Sequence, residues 1–279
     1  MAITTRDQLI DAMCNNSSRL VIDKVSLSNA AAGQFHSLWR ATGQPGQGAV
    51  PAAAARCTNA LVGSLQFTQQ VAPAKSYLAI LEGLCSNNAT VLEIHDRLMH
   101  MGGLNGTLTT AQTVNVDLDA NLASDNLTER IGDSNYSDVT WWLEWYTDTG
   151  GTAVTATVNV TYNDDTSGNL TGISLAATRR ASLMIPLNGL IPAADSGKYI
   201  RDVNTVTLSA TTGTAGSFGV TATRYRAALY KPIANARFTA DWAGLGIPNI
   251  PNSSCLMLIQ LAGTTSTGAV RATGKIVHG

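Results

Sequence analysis

The residues of this chain that could do chemistry are few and widely separated. His95 and His100 stand five apart in Ile94-His-Asp-Arg-Leu-Met-His100. That spacing puts them together on neither a helix face nor a strand face, so ordinary hydrogen-bonded histidines are expected rather than a metal pair. Between them, Asp96 and Arg97 are expected to form structural ion pairs with charges elsewhere in a sheet, not to act as acid or base. Glu82, Glu93 and Glu144 are carboxylates a glycan hydrolase could draw on, but that chemistry needs two of them roughly 5 to 10 Å apart, which sequence does not specify. Cys14, Cys57, Cys85 and Cys255 lie far apart without zinc or redox spacing. They read as buried free thiols of a protein made in a reducing cytoplasm.

The familiar motifs are missing or incomplete. No Gly-x-Ser-x-Gly elbow, His-Glu-x-x-His helix or Walker-type loop occurs. Asn163-Asp-Asp-Thr-Ser-Gly168 lacks the closing glutamate of a calcium loop and reads as a hairpin turn. Gly102-Gly103 and Gly213-Thr-Ala-Gly216 lack the strand-loop-helix setting of a phosphate cradle and read as turns. Arg179-Arg-Ala-Ser182 has the form of a basic kinase site but equally starts a strand. The aromatic cluster is the sharpest anomaly. In Val139-Thr-Trp-Trp-Leu-Glu-Trp-Tyr146, a strand puts Val139, Trp141, Leu143 and Trp145 on a core face and Thr140, Trp142, Glu144 and Tyr146 on a partly wet one. Trp142 and Tyr146 are therefore the candidate interface or glycan contacts. No catalytic, cofactor-binding or metal residue is expected, and no cofactor.

Composition constrains what these residues serve. Hydrophobic residues make up 44% and charged residues only 13%, so Thr, Ser, Asn and Gly must supply the polar surface, a mixture favouring strands and turns. A net charge of -1 without long runs of one sign gives no field for nucleic acid or an anionic membrane. No apolar run approaches the roughly 20 residues of a membrane span. The first residues lack the basic-then-apolar pattern of a cleavable signal. Without one, the sequons Asn88-Ala-Thr90 and Asn159-Val-Thr161 are no argument for glycosylation.

The elements predicted from periodicity begin with an arm. Thr5-Arg-Asp-Gln8 has the form of a capping box, with Leu9, Ile10 and Met13 at helical spacing, and a helix is expected to end near Asn15-Asn16. A second helix is expected over 29–40, from Ala32, Phe35, Leu38 and Trp39. Gly43-Gln-Pro-Gly-Gln-Gly48 then breaks regular structure. From Leu65 onward strands follow. Ser76 to Cys85 and Thr90 to Met99 read as a hairpin buried on both faces, with a helix over Thr90 to Met101 as the alternative for the second run, because short apolar runs do not settle period. Ala153 to Tyr162 alternates cleanly as a half-buried antiparallel strand. Further strands are expected at Gly172 to Leu175, Ser182 to Leu187, Val203 to Ala210, Phe218 to Tyr230, Cys255 to Leu261 and Ala269 to Val277. Gly244 to Pro251 is expected to be a loop. The fold class predicted is mainly β: an antiparallel two-sheet sandwich, jelly-roll-like, over 65–279 with room for two sub-domains, and a small helical or extended N-terminal arm over 1–64.

From about Leu65 to the end, the chain resembles a family of tailed-bacteriophage virion structural proteins of the head decoration or cement kind. The matching segments are Tyr77-Leu78, Asp96-Arg-Leu98 with Gly102-Gly-Leu104, Thr109-Thr-Ala-Gln112 and Leu143-Glu-Trp-Tyr-Thr147. They continue with Val160-Thr-Tyr-Asn163, Thr166-Ser-Gly168, Val206-Thr-Leu-Ser-Ala-Thr-Thr-Gly-Thr-Ala-Gly216 and Cys255-Leu256. The N-terminal arm does not match. The resemblance implies a virion protein made in the host cytoplasm, partnered by the major capsid protein or other virion proteins and by copies of itself. It carries over no catalytic residue. A tail, neck or fibre protein recognising host glycans is the alternative, resting on Trp142 and Tyr146.

Overall fold

The computed structural model describes residues 2–123 and 127–279. In chain order the strands are β1 (Ser17–Lys24), β2 (Phe35–Ser37), β3 (Gly43–Gln44), β4 (Ala55–Arg56), β5 (Ser76–Cys85) and β6 (Thr90–Leu104). There follow β7 (Gln112–Asp117), β8 (Val139–Thr147), β9 (Val154–Tyr162), β10 (Ser167–Leu175), β11 (Leu183–Pro186) and β12 (Ile200–Leu208). The last are β13 (Ser217–Lys231), β14 (Phe238–Ala240), β15 (Asn249–Ile250), β16 (Leu256–Leu261) and β17 (Val270–His278). Four short helices, α1 (Arg6–Asn15), α2 (Leu118–Leu122), α3 (Leu127–Ile131) and α4 (Trp242–Leu245), are interspersed among the described residues. The protein is mainly β and its sheets are antiparallel, as the alternation predicted.

Two compact units divide the chain. The first comprises Met1–Ala49, Thr58–Asp96 and Arg226–Gly279, the second Val50–Cys57 and Arg97–Tyr225. In the first, one sheet has the order β14-β5-β17-β1-β3, with β15 also on β5. Leu20, Ile22 and Lys24 of β1 turn inward while Arg19, Val21 and Asp23 turn out. Facing this sheet, β16 pairs with β2 and with Val91–Asp96 of β6. Leu78, Leu81, Ile276, Leu92, Ile94 and Leu258 fill the space between, each buried aliphatic contributing roughly 1.5–3 kcal/mol. α1 lies against the same unit through Leu9, Ala12 and Met13, which pack with Ala79 and Val277.

The second unit is also a sandwich. Its four-stranded sheet runs β10-β9-β12-β7. Along β9, Val154, Ala156, Val158, Val160 and Tyr162 are buried in strict alternation, and β9 and β10 form the hairpin predicted around Asn163–Gly168. The facing layer has β8 between β13 and β11. Trp141 and Trp145 of β8 are core residues, and Trp145 stacks on Phe218 with centroids 5.4 Å apart.

Several expectations need correction. Residues 29–40 are not a helix: Asn29 and Gly33 have φ of 63° and 75°, and Phe35–Ser37 pairs with Ile259–Leu261 as β2. Their helical stripe reflects Leu38 and Trp39 turning into a packed corner. A Cβ on Gly48 would come within 1.9 Å of the Trp39 indole, so this glycine-rich stretch is the floor on which that ring lies. The expected hairpin of Ser76–Cys85 with Thr90–Met99 does not form. β5 pairs with β14, β15 and β17, whereas β6 pairs with β16 and β4. An apolar run names no partner, and here residues 86–89 carry the chain between facing sheets. Gly102-Gly103 lies inside β6 rather than in a turn, where Gly102 makes room for Val50 and the Tyr146 ring. Gly244–Pro251 contains the end of α4 and the short β15. Finally, the boundary near residue 64 is not where the units part, because β1 pairs with both β17 and β3 in the interior of a sheet.

Candidate functional site

The charged centre of the chain is on β6 and consists of two adjacent residues, each satisfied within its own unit. In the first unit Asp96 is completely buried. Its Oδ2 accepts from Arg226 Nη2 at 3.2 Å and Ser254 Oγ at 2.9 Å, and its Oδ1 from the Cys255 N–H at 2.9 Å. In the second unit Arg97 is equally buried. Its Nη2 donates to Glu144 Oε2 at 2.6 Å and Tyr146 Oη at 2.9 Å, and its Nη1 donates to Glu144 Oε1 at 3.3 Å. Thr221 of β13 donates to Glu144 Oε2 at 2.5 Å, and His100 Nδ1 lies 2.6 Å from the guanidinium. Three strands, β6, β8 and β13, thus meet at one carboxylate.

The electrostatics follow from the geometry. Burial opposes charge on Arg97, but the Glu144 carboxylate more than offsets it, and the guanidinium is held above its ordinary value. Burial, then the same carboxylate, pushes the Tyr146 hydroxyl well up. Arg130, also fully buried, donates from Nη1 to the Cys57 carbonyl at 2.9 Å and from Nη2 to the Arg97 carbonyl at 3.1 Å. This arrangement braces strands. Glu144 spends its oxygens on an arginine, a tyrosine and a threonine and has no face open to a substrate.

The other sequence candidates are dispersed. Trp142 and Tyr146 are buried rather than partly wet, at 3% and 7% exposure, and Trp142 Nε1 donates to Thr223 Oγ1 at 2.8 Å. The outward face assigned to them is covered, because β8 is buried on both sides except at its ends. His95 Nε2 lies 2.8 Å from Glu93 Oε2, and His100 belongs to the Arg97 group, so the two histidines serve different neighbours. No cluster of three metal-ligating side chains occurs among the described residues. Glu82 pairs with Arg237. Asp164 accepts from Thr166 within the predicted turn, and Gly213 and Gly216 have positive φ, as turns require. Arg180 pairs with Asp148 at 2.6 Å, and Ser182 is buried in the turn just before β11.

Sequence reasoning missed Arg130, Arg226, Thr221, Lys24 and Lys231. For three a signal existed. Lys24 continues the inward phase of Leu20 and Ile22, Lys231 that of Leu229, and Arg226 sits among apolar residues of β13. Lys24 Nζ donates to the carbonyls of Ala41 and Pro45 at 2.9 and 2.6 Å. On the outer face of the first unit's larger sheet, a depression of about 300 Å³ is lined by Val21, Leu84 and two ion pairs. These pairs are Asp23–Arg271, at 3.3 Å, and Glu82–Arg237, so its charges compensate one another. No helix among the described residues is long and apolar enough to cross a membrane.

No protein-family model matches the chain, and no curated protein matches it in sequence. Among solved structures, infectious bursal virus derived T=1 particles align over 95% of this chain and 78% of that one, at 10% identity and a TM-score of 0.20. The infectious bursal disease virus Gt strain structure aligns over 94% and 81%, at 10% identity and a TM-score of 0.21. The VP2 subviral particle of the same virus aligns over 95% and 80%, at 11% identity and a TM-score of 0.18. Likeness at these TM-scores carries no argument about this chain's fold or function.

Proposed function

We propose that the chain is a non-enzymatic virion structural protein, in first place a capsid decoration or cement protein that binds the major capsid protein and copies of itself. The observation that carries this reading is where the phage-like segments lie. Asp96-Arg-Leu98, Gly102-Gly-Leu104 and Leu143-Glu-Trp-Tyr-Thr147 supply Arg97, Glu144, Tyr146 and the close approach of Gly102 to the Tyr146 ring, all within one solvent-excluded network. Val160-Thr-Tyr-Asn163 and Thr166-Ser-Gly168 flank the β9–β10 turn, where Tyr162 N–H bonds the Thr166 carbonyl at 2.8 Å. These segments build framework, not a reaction centre, as expected of a protein whose work is to hold shape and touch neighbours.

The test is localisation followed by reconstitution. Cryo-electron microscopy of the particle should place the chain on the head, and purified protein added to heads lacking it should bind and raise their disruption temperature. Density confined to the tail would reject the decoration role. The glycan-recognising tail or fibre reading lost its motive with the burial of Trp142 and Tyr146, and no other observation favours it.

A further inference from the structure

A row of asparagines crosses the second unit and ends at an open strand edge. β10 is an end strand of the four-stranded sheet, with β9 as its one strand neighbour among the described residues. Asn204 Nδ2 of β12 donates to Asn159 Oδ1 of β9 at 2.9 Å, and Asn159 Nδ2 donates to Asn169 Oδ1 of β10 at 2.9 Å. Further bonds fix the row: Asn204 Nδ2 also reaches Thr161 Oγ1 at 3.1 Å, and Asn159 Nδ2 the Gly168 carbonyl at 3.1 Å. Every donor in this ladder is directed toward β10. There it stops, because Asn169 is exposed and its own Nδ2 has no partner among the described residues. A planar amide whose oxygen faces β9 carries its nitrogen on the far side.

The backbone is open at the same place. Tyr162 N–H donates to the Thr166 carbonyl at 2.8 Å, and Asn169 stands opposite Asn159. Bonded and non-bonded pairs alternate in an antiparallel ladder, so Gly168 and Leu170 spend their N–H and C=O on β9. Ser167, Asn169 and Thr171 turn theirs to the open side, and all three residues are exposed. Edge strands are normally blunted by charge, proline or a bulge. Ser167–Leu175 contains neither a charge nor a proline, and its register shift comes only after Leu170, with Gly172 at φ 68° and open space beside it.

We propose that this edge takes β10 of a second copy, antiparallel about a two-fold axis at Asn169, joining the two four-stranded sheets into one. The edge is self-complementary in that register. Asn169 meets Asn169 of the second copy, and each Nδ2 donates to the other's Oδ1, which has a second lone pair beyond the one given to Asn159. Ser167 meets Thr171 and Thr171 meets Ser167, hydroxyl against hydroxyl. The outward backbone groups of these residues supply about six hydrogen bonds. Moving the axis by one residue would centre it on Gly168 or Leu170, whose backbone groups are already engaged. An edge this short gives weak association in solution, suited to copies held close together on a larger assembly. The pairing rests on the part of the proposed function in which copies touch one another, and it is independent of contact with the major capsid protein.

Cysteine trapping of the purified full chain, without particles, is the test, made in a Cys14→Ser background because Cys14 is the exposed free thiol. Directly opposed residues have Cα atoms about 5.5 Å apart, within the range a disulfide spans. Mild oxidation with copper–phenanthroline should link a mixture of Ser167→Cys and Thr171→Cys chains into a dimer. Peptide mapping should show the 167–171 pair, whereas either variant alone should stay monomeric. A mixture that gives no dimer, or single variants that link as readily as the mixture, overturns the proposal. Adding Asn169→Asp to both chains keeps an acceptor for Asn159 but sets two carboxylates against each other across the axis. The yield should fall by about tenfold or more at neutral pH. An unchanged yield, in a chain whose thermal midpoint matches its parent, also overturns it; if Asn169→Asp folds poorly, the mixture alone decides. A chain found in the tail by cryo-electron microscopy yet trapped in this register separates failure of the decoration role from failure of the pairing.

Discussion

Burying a charge is costly unless an opposite charge and hydrogen bonds come with it, and the Arg97–Glu144 pair at 2.6 Å has both. Removing one member should therefore hurt more than removing both. Arg97→Met or Glu144→Gln is expected to cost about 3–5 kcal/mol in a denaturant titration, with the double replacement Arg97→Met/Glu144→Leu recovering a large part of it. A double variant no better than the worse single one would show that the pair is not the coupled unit described. The pairing of Asp96 and Arg97 was legible from their charge in an apolar strand; the identity of the partners was not, since they lie 47 and 130 residues away. The wet face given to Trp142 failed for a similar reason: alternation separates two faces but does not tell what covers the second. Titration adds a further residue-scale prediction. Burial lowers His36 to about 4, and its Nε2 accepts from the Ala31 N–H at 3.2 Å. Between pH 4 and about 6.5 the unfolded chain therefore binds the extra proton, and stability should rise with pH across that window. Lys24 and Lys231, each lowered to about 8, act in the same direction between pH 8 and about 10.5. Thermal midpoints of Lys24→Met and Lys231→Met against wild type over the alkaline window should show the slope diminished in each variant.

At the scale of elements, the N-terminal helix was readable because capping is local. Thr5 Oγ1 accepts from Gln8 N–H at 3.3 Å, and Gln8 Oε1 accepts from Thr5 N–H at 3.0 Å, the reciprocal box its spacing predicts. Thr5→Ala should cost the helix about 1 kcal/mol. Because α1 contributes only Ala12 to the fully buried residues, hydrogen exchange should quicken in 6–15 while amides of β17 keep their protection. Equal acceleration in both would mean that α1 unfolds only with the whole unit. The β9–β10 hairpin was legible on the same grounds, alternation plus a turn with Asp165 at φ 64°. β5 and β6 were not, since both read as strands while their partners are fixed by packing between sheets. The false helix over 29–40 has a related cause: aromatic and aliphatic residues folded around a glycine floor mimic a helical stripe without a helix.

For the molecule as a whole, the decisive question is which part of the first 64 residues is dispensable. β1 pairs with β17 along all eight of its residues and with β3 on its other side, and Leu20, Ile22, Leu38 and Ala41 are members of the first core. Deleting 1–64 would open a long edge on β17 and remove core side chains whose burial, at about 1.5–3 kcal/mol for each large aliphatic, is comparable to the entire stability of a domain. That fragment should be insoluble or lack cooperative unfolding. Deleting only 2–15 removes α1 and uncovers Ala79 and Val277, a loss expected to be about 1–3 kcal/mol with the β circular dichroism spectrum retained. If both deletions unfold the protein, α1 is part of the sheet's foundation; if neither does, the pairing of β1 is not what closes the first unit. The expected pattern confines any arm available for contact with a neighbour to the residues before Ser17; under the decoration role proposed above, a chain shortened by that helix should remain folded while its hold on the particle weakens.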